Sequence, residues 1–352
     1  MAIKRTALVA AAVAALLAPA LIVPSAAYGG SGHGGADHGG GNDPAAEAVL
    51  LASGLEGASG GTIGPDGALY VTEGKVGEVT RIDPETGDAS TFASGLPPAV
   101  IPLGGATDIA FIGHTAYVLV SVVGPDVGGT EIDGIYRVDD ADSFTVIADL
   151  GEWSRTHPPA TSFDLDRGVQ FALQTVRGGF LVTDGHHNRV LKVTRSGEVS
   201  ELIGFGNTVP TGLAVADRTV YLAEAGPIPH NPVDGRIVSF PVKRPSAADV
   251  SEVAAGFSLL VDVEFGKCGV LYALSQGDSP GDVPAGSPAL PDSGELLRTN
   301  DDGTFSVVVD GLNLPTSVDF ARNTAFIVTL AGEVWTVSGL ADCGRNGGHG
   351  DR

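Results

Sequence analysis

Basic residues are scarce in this chain. Twenty Lys and Arg face forty-two Asp and Glu, for a net charge of −22. Such a surface repels phosphate backbones, which sets nucleic acid aside as a partner. Cysteine is nearly absent, with only Cys268 and Cys343. Neither has the partner Cys or His residues that a zinc cluster needs. No convincing Ser–His–Asp set can be read. Gly-rich segments such as Gly60-Gly61 precede no helix, so they are turns rather than phosphate loops. Beyond Val23 no stretch is apolar enough to span a membrane. No convincing amphipathic helix can be read anywhere, which leaves an all-β chain.

The first residues read as a secretory signal. Lys4 and Arg5 precede an apolar run from Thr6 to about Val23, and Ser25-Ala26-Ala27 supplies the small residues of a cleavage site. Pro19, Pro24 and the small-residue exit favour cleavage near Ala27–Tyr28 over retention as an anchor, and no cysteine lies near the exit to carry a lipid. The expectation is a secreted protein without a stable membrane anchor. Residues 1–27 hold two basic and no acidic side chains, so cleavage takes the net charge to −24. Residues 28–43 are almost entirely Gly, Ser, His and Asp, the composition of a flexible linker, and residues 344–352 resemble them. His33 and His38 could hold a metal loosely. In an oxidising compartment one disulfide, Cys268–Cys343, is expected.

Between the two tails, over residues 44–343, the chain is rich in Val, Leu, Gly and Thr. Strand runs recur as a repeat with an aromatic often opening the second strand: Leu69-Tyr70-Val71, Ala116-Tyr117-Val118, Gly179-Phe180-Leu181, Val220-Tyr221-Leu222, Leu271-Tyr272-Ala273 and Ala325-Phe326-Ile327. The mean spacing is about 51 residues. That period suits a four-stranded propeller blade with long loops, and six units predict a six-bladed β-propeller. The sixth unit lacks a fourth strand, while the orphan strand Ala48–Ala52 precedes the first unit. Both it and the outer strands at Phe92–Ser94 and Val307–Asp310 run into Gly-Leu, so the N-terminal strand should close the last blade.

Leu181-Val182-Thr183-Asp184-Gly185-His186-His187-Asn188-Arg189-Val190 resembles an NHL-type repeat. Over nearly the whole mature chain the pattern resembles the ScyD/ScyE family of exported propellers. The segments carrying this are Val209–Val215, Leu314–Phe320, Leu69–Glu73, Gly256-Phe257 and Val261–Val263. The resemblance implies the propeller fold and export rather than a defined reaction. Gluconolactonases share the six-bladed plan and hold a divalent metal with an early Glu among its ligands. Here the corresponding strand, Gly60-Gly61-Thr62-Ile63, has no carboxylate.

Loop lengths mark one face. Val122–Asp133, Gly151–Arg167, Ala225–Asp234 and Ser275–Ser293 converge there, while the opposite turns are short. Long loops in compact domains commonly carry binding sites. This face is the expected site for a small-molecule or protein ligand. Glu73, Asp184 and Glu224 end second strands and either ring a pocket or cap turns. Trp153 with Arg155 suits stacking on a ring-shaped ligand, and His157, His186, His187 and His230 are the general-base candidates. Asp108, Asp262, Glu264 and Asp319 on the inner strands suit calcium, or equally serve as acceptors for neighbouring backbone amides. Two functions follow: a secreted binding propeller, or a metal-assisted lactonase-like hydrolase or isomerase acting at the channel mouth.

Overall fold

The computed structural model describes residues 46–160, 167–281, 283 and 287–340. The expected signal peptide, linker, C-terminal tail and Cys343 lie outside the described residues.

Twenty-four strands form six four-stranded antiparallel sheets. β1 (Ala48–Ser53) precedes the first complete blade, which is β2 (Ala58–Ile63), β3 (Leu69–Glu73), β4 (Glu78–Ile82) and β5 (Ala89–Ser94). Blade 2 is β6 (Gly105–Ile112), β7 (Thr115–Ser121), β8 (Gly134–Asp140) and β9 (Ser143–Asp149). Blade 3 is β10 (Gln170–Val176), β11 (Gly179–Asp184), β12 (Arg189–Thr194) and β13 (Val199–Gly204). Blade 4 is β14 (Pro210–Ala216), β15 (Thr219–Glu224), β16 (Gly235–Pro241) and β17 (Ser251–Phe257). Blade 5 is β18 (Leu260–Phe265), β19 (Leu271–Ser275), β20 (Gly294–Thr299) and β21 (Phe305–Leu312). Blade 6 is β22 (Pro315–Ala321), β23 (Thr324–Thr329) and β24 (Glu333–Ser338), completed by β1.

Closure is by strand pairing. β1 runs antiparallel to β24, with Ala48 opposite Val337 and Leu50 opposite Trp335. Each inner strand touches the next, and β22 meets β2 to finish the ring.

Burial follows the layers. The second strands are sandwiched by neighbouring blades, so β3, β11 and β19 are buried at every position, which is why they read as unbroken apolar or β-branched runs. The outer strands face solvent on one side, as in the exposed Ser200 and Glu201 of β13. Distinct apolar clusters fill the gaps between successive blades, such as Phe180, Val182 and Leu191 packed on Leu119 and Ile135.

One expectation needs correction. The stretch after β9 contains a helix, α1 (Leu150–Thr156), where the sequence suggested only loop. Asp149 caps it by accepting from Glu152 N at 2.7 Å, satisfying one of the orphan N–H groups of the first turn.

Candidate functional site

Consider first the inner strands, where calcium was expected. Asp108 accepts from Leu173 N of the next blade at 2.7 Å and from Ile109 N at 2.8 Å. Asp262 does the same with Val318 N at 2.8 Å and Val263 N at 2.9 Å. Asp319 takes Ile63 N at 2.6 Å and Thr62 Oγ1 at 3.0 Å, and Phe320 N at 2.6 Å. Each aspartate therefore clasps one blade to the following one. Thr107 and Thr316 add hydroxyl bonds to Gln170 O and Ser59 O across two of these seams, and Thr211 bonds Leu260 O across the seam between blades 4 and 5. Glu264 accepts from Phe265 N alone, at 2.7 Å.

These carboxylates are half-buried on the inner strands. Burial pushes Asp108 up to about 8, with Asp262 and Asp319 adding to the rise. It pushes Asp262 up to about 7 and Glu264 up to about 8, and it raises Asp319. Among the described residues no three Asp, Glu, His or Cys side chains gather in a metal-holding arrangement. The missing early carboxylate has a steric cause: a Cβ on Gly60 would stand 2.5 Å from Asp108 Cα and from Thr107 O. Gly212 meets Asp262 in the same way, with its Cβ 2.5 Å from the Asp262 Cα. Among the described residues the ring therefore shows no metal site, and its aspartates are engaged with backbone amides.

The second-strand ends form another series. Glu73 accepts from Glu56 N at 2.6 Å and bonds Thr80 Oγ1. Glu224 accepts from Arg236 Nε at 2.6 Å, while its Oε1 is buried without a partner. Burial raises the Glu224 carboxyl, though the Arg236 guanidinium opposes the rise. Both residues tie strand ends to adjoining backbone or strands and are buried, so neither opens onto a pocket rim as the binding reading required.

Asp184 is different. It is fully buried, yet it anchors a connected group that reaches open space. Its Oδ2 accepts from Arg189 Nε at 2.8 Å and lies 3.0 Å from His187 Nδ1; its Oδ1 accepts from Gln170 Nε2 at 3.2 Å. Burial alone would raise this carboxyl, but His187 and Arg189 hold it below the usual range. An ionised carboxylate can only accept, so the Asp184 contact favours a proton on His187 Nδ1, while the Arg189 guanidinium, a donor, also stands 3.2 Å from the same nitrogen. Arg189, 1 % exposed, also donates to His157 O at 2.8 Å and Ser154 Oγ at 3.2 Å, which pins α1 over blade 3.

A pocket of about 270 Å³ opens beside this group on the long-loop face, with Asp133, Ser154, Arg155, Arg167, Gln170 and His187 in its wall. Asp133 accepts from Val123 N at 2.7 Å, and burial raises its carboxyl. Arg167 pairs with Asp126 at 2.8 Å and Arg155 with Glu152 at 2.9 Å. The wall thus presents donors and acceptors of both signs around a neutral total, suited to a small polar molecule.

Of the residues expected to bind ligand, the structure brings Arg155 to this pocket and Asp184 directly behind it. Trp153 does not present its ring to a ligand: His157 stacks on it at 4.6 Å and Arg189 lies 4.9 Å over it. His157 is thereby committed to packing. His186 and His230 lie close enough for their charges to interact, and burial lowers His186 to about 4 and also lowers His230. Asp133, Gln170, Arg167 and Ser154 were missed. Asp133 was readable only as a loop end, and Gln170 as an ordinary start of β10.

No family model matches the chain, and no curated protein matches it. Solved structures do. A gluconolactonase from Xanthomonas campestris aligns with TM-score 0.57 at 13% identity, over 83% of this chain and 89% of that one. The calcium-binding protein regucalcin from Agrobacterium tumefaciens gives 0.55 at 12%, over 83% and 92%. A PQQ-bound aldose sugar dehydrogenase from Streptomyces coelicolor gives 0.55 at 14%, over 84% and 99%. What the chain shares with them is the β-propeller fold. At such identities the likeness is one of architecture, and function has to be argued from the site.

Proposed function

We propose that this is a secreted propeller of the ScyD/ScyE type that binds a small polar ligand in the pocket over blades 2 and 3. The observation that carries the reading is the Asp184–His187–Arg189–Gln170 network. It spends a buried ion pair on holding two polar side chains at the wall of an open cavity. A purely structural clasp needs no cavity, as the aspartates of the inner strands illustrate. The sugar-acid chemistry of the gluconolactonase neighbour suggests the first probe. Gluconate, titrated calorimetrically, should bind the wild type, and His187→Gln or Gln170→Ala should abolish the heat. Equal binding by wild type and both variants would remove the pocket from the account.

The hydrolytic reading draws on the same network. With Asp184 favouring the Nδ1–H tautomer, His187 Nε2 suits general-base attack of water on a lactone carbonyl. Water's oxygen would form the new C–O bond, its proton would pass to Nε2, and the same proton would return to the leaving ring oxygen as the acyl C–O bond breaks. Lactone-opening assays on wild type and His187→Gln separate the readings. Turnover lost in the variant supports hydrolysis, and binding without turnover supports a receptor. A Cys268–Cys343 bond is proposed alongside, readable as one linked peptide in a non-reduced digest.

A further inference from the structure

The opposite, short-turn face carries a second opening, of about 460 Å³. Phe111 and Ile112 at the end of β6 and Val215 near the end of β14 contribute apolar wall, and Arg177, Arg195 and Arg218 contribute charge. The three arginines come from three separate hairpin turns, those joining β10–β11, β12–β13 and β14–β15. The repeat aims successive turns at one side of the ring, so three residues far apart in sequence meet around one opening.

Arg81, Arg137, Arg155, Arg167, Arg189 and Arg236 each meet a carboxylate within ion-pair distance. Among the described residues Arg177, Arg195 and Arg218 have no such partner, in a chain that carries forty-two acidic residues. Arg244, Arg298 and Arg322 also meet no carboxylate within ion-pair distance among the described residues, so what is particular to Arg177, Arg195 and Arg218 is that three unpaired arginines share one opening. Three unneutralised guanidinium groups sharing one opening repel one another, and an anion between them relieves the repulsion. The Asp217-Arg218 turn adds a second observation. Both residues are left-handed, with φ of 47° and 68°, a hairpin conformation in which the second residue is commonly glycine. An arginine stands there at a conformational cost that glycine would avoid.

We propose that this opening is a binding site for an organic anion: a carboxylate or sulfonate carried on an apolar ring or chain. The guanidinium groups take the acid in forked hydrogen bonds, and the wall of Phe111, Ile112 and Val215 takes the apolar body. The site is independent of the pocket over blades 2 and 3, which lies on the other face and whose arginines are already paired.

The test uses the whole propeller and three probes in calorimetric titration: 2-naphthoate, its uncharged counterpart 2-naphthalenemethanol, and inorganic sulfate. Naphthoate should bind at least tenfold more tightly than the alcohol or sulfate. Raising the salt from about 50 to about 500 mM should weaken it, because exposed charges are screened. The double variant Arg195→Gln/Arg218→Gln should lose at least tenfold in naphthoate affinity, while Arg137→Gln and His187→Gln keep wild-type affinity. Should the double variant melt early, the single variants Arg177→Gln and Arg195→Gln replace it, each expected to lose severalfold. Equal affinity for naphthoate and the alcohol, wild-type affinity in the arginine variants, or no heat from naphthoate at millimolar concentration would each overturn the proposal.

Discussion

The inner ring and the pocket over blades 2 and 3 both contain partly or fully buried carboxylates, and the two differ in where the lone pairs go. Asp108, Asp262 and Asp319 accept from main-chain N–H groups of the next blade, so their oxygens serve the fold. Asp184 accepts only from side chains, and those side chains lead to a cavity. The ring carboxylates have raised pKa values, while Asp184 is lowered, because amide donors only partly offset burial whereas His187 together with the Arg189 guanidinium more than offsets it. Partner type, rather than acidity, separates a seam from a site here.

Substitutions should separate the two regions by size of effect. Asp184→Ala is expected to be the most damaging, since it leaves the buried Arg189 with only its longer carboxylate contact, to Glu201 at 3.5 Å; removing one partner of a buried pair costs about 3–5 kcal/mol. Urea unfolding of the variant against wild type measures it, and a loss under 1 kcal/mol would show that the ion pair is not structural. Gly60→Glu comes next. Placing a side chain against the Asp108 backbone should cost about 1–3 kcal/mol through overpacking, and it should not create a calcium response. A stable Gly60→Glu protein whose melting temperature rises with calcium would restore the channel-metal reading.

Asp262→Asn should act more mildly, mainly on the pH dependence. The ring carboxyls titrate near 7 to 8 when folded and near their ordinary 3.8 to 4.5 when unfolded. The folded chain thus holds protons that the unfolded chain has released. Their contribution is fully present below the ordinary carboxylate range and is lost as pH climbs through about 7 to 8. Melting temperature should accordingly fall on raising the pH from about 5 to about 9, and Asp262→Asn should flatten part of that slope. An unchanged slope would mean that Asp262 is ionised throughout. Asp184 has the opposite sign: its contribution is present above its ordinary 3.8 and lost as pH falls below it. The smallest expected effect is that of millimolar calcium on wild type, a melting shift of about a degree or less, because the ring aspartates already accept from backbone amides and no three ligands gather among the described residues. A larger shift that Asp262→Ala removes would reverse the assignment of that residue.

Much of the fold was legible. Strands buried on both faces are apolar or β-branched over most of their length, with buried carboxylates such as Glu73 and Asp184 confined to their ends, so the second strands stood out, and the shared Gly-Leu endings exposed the closing role of β1. The helix α1 was not legible. It has only seven residues and carries Gly151, so it depends on the Asp149 cap and on Arg189 reaching back to Ser154. Local pattern carries no trace of a contact 35 residues away. The same limit explains the site. Asp108 and Asp262 were recognisable as unusual inner-strand residues, yet their partners Leu173 and Val318 belong to the next blade, 65 and 56 residues on. A backbone amide leaves no mark in the sequence, whereas the string Asp184…His187-Asn188-Arg189 named three members of its own network within six positions.

The division between seam and site is tested most directly by one titration. The sugar-acid probe is added to wild type, His187→Gln and Asp262→Asn at a single pH near 6, and the ligand-dependent rise in melting temperature is recorded for each. The account predicts a rise in wild type, the same rise in Asp262→Asn from a shifted baseline, and none in His187→Gln. A rise that survives in His187→Gln and vanishes in Asp262→Asn would place the ligand in the central ring and contradict it.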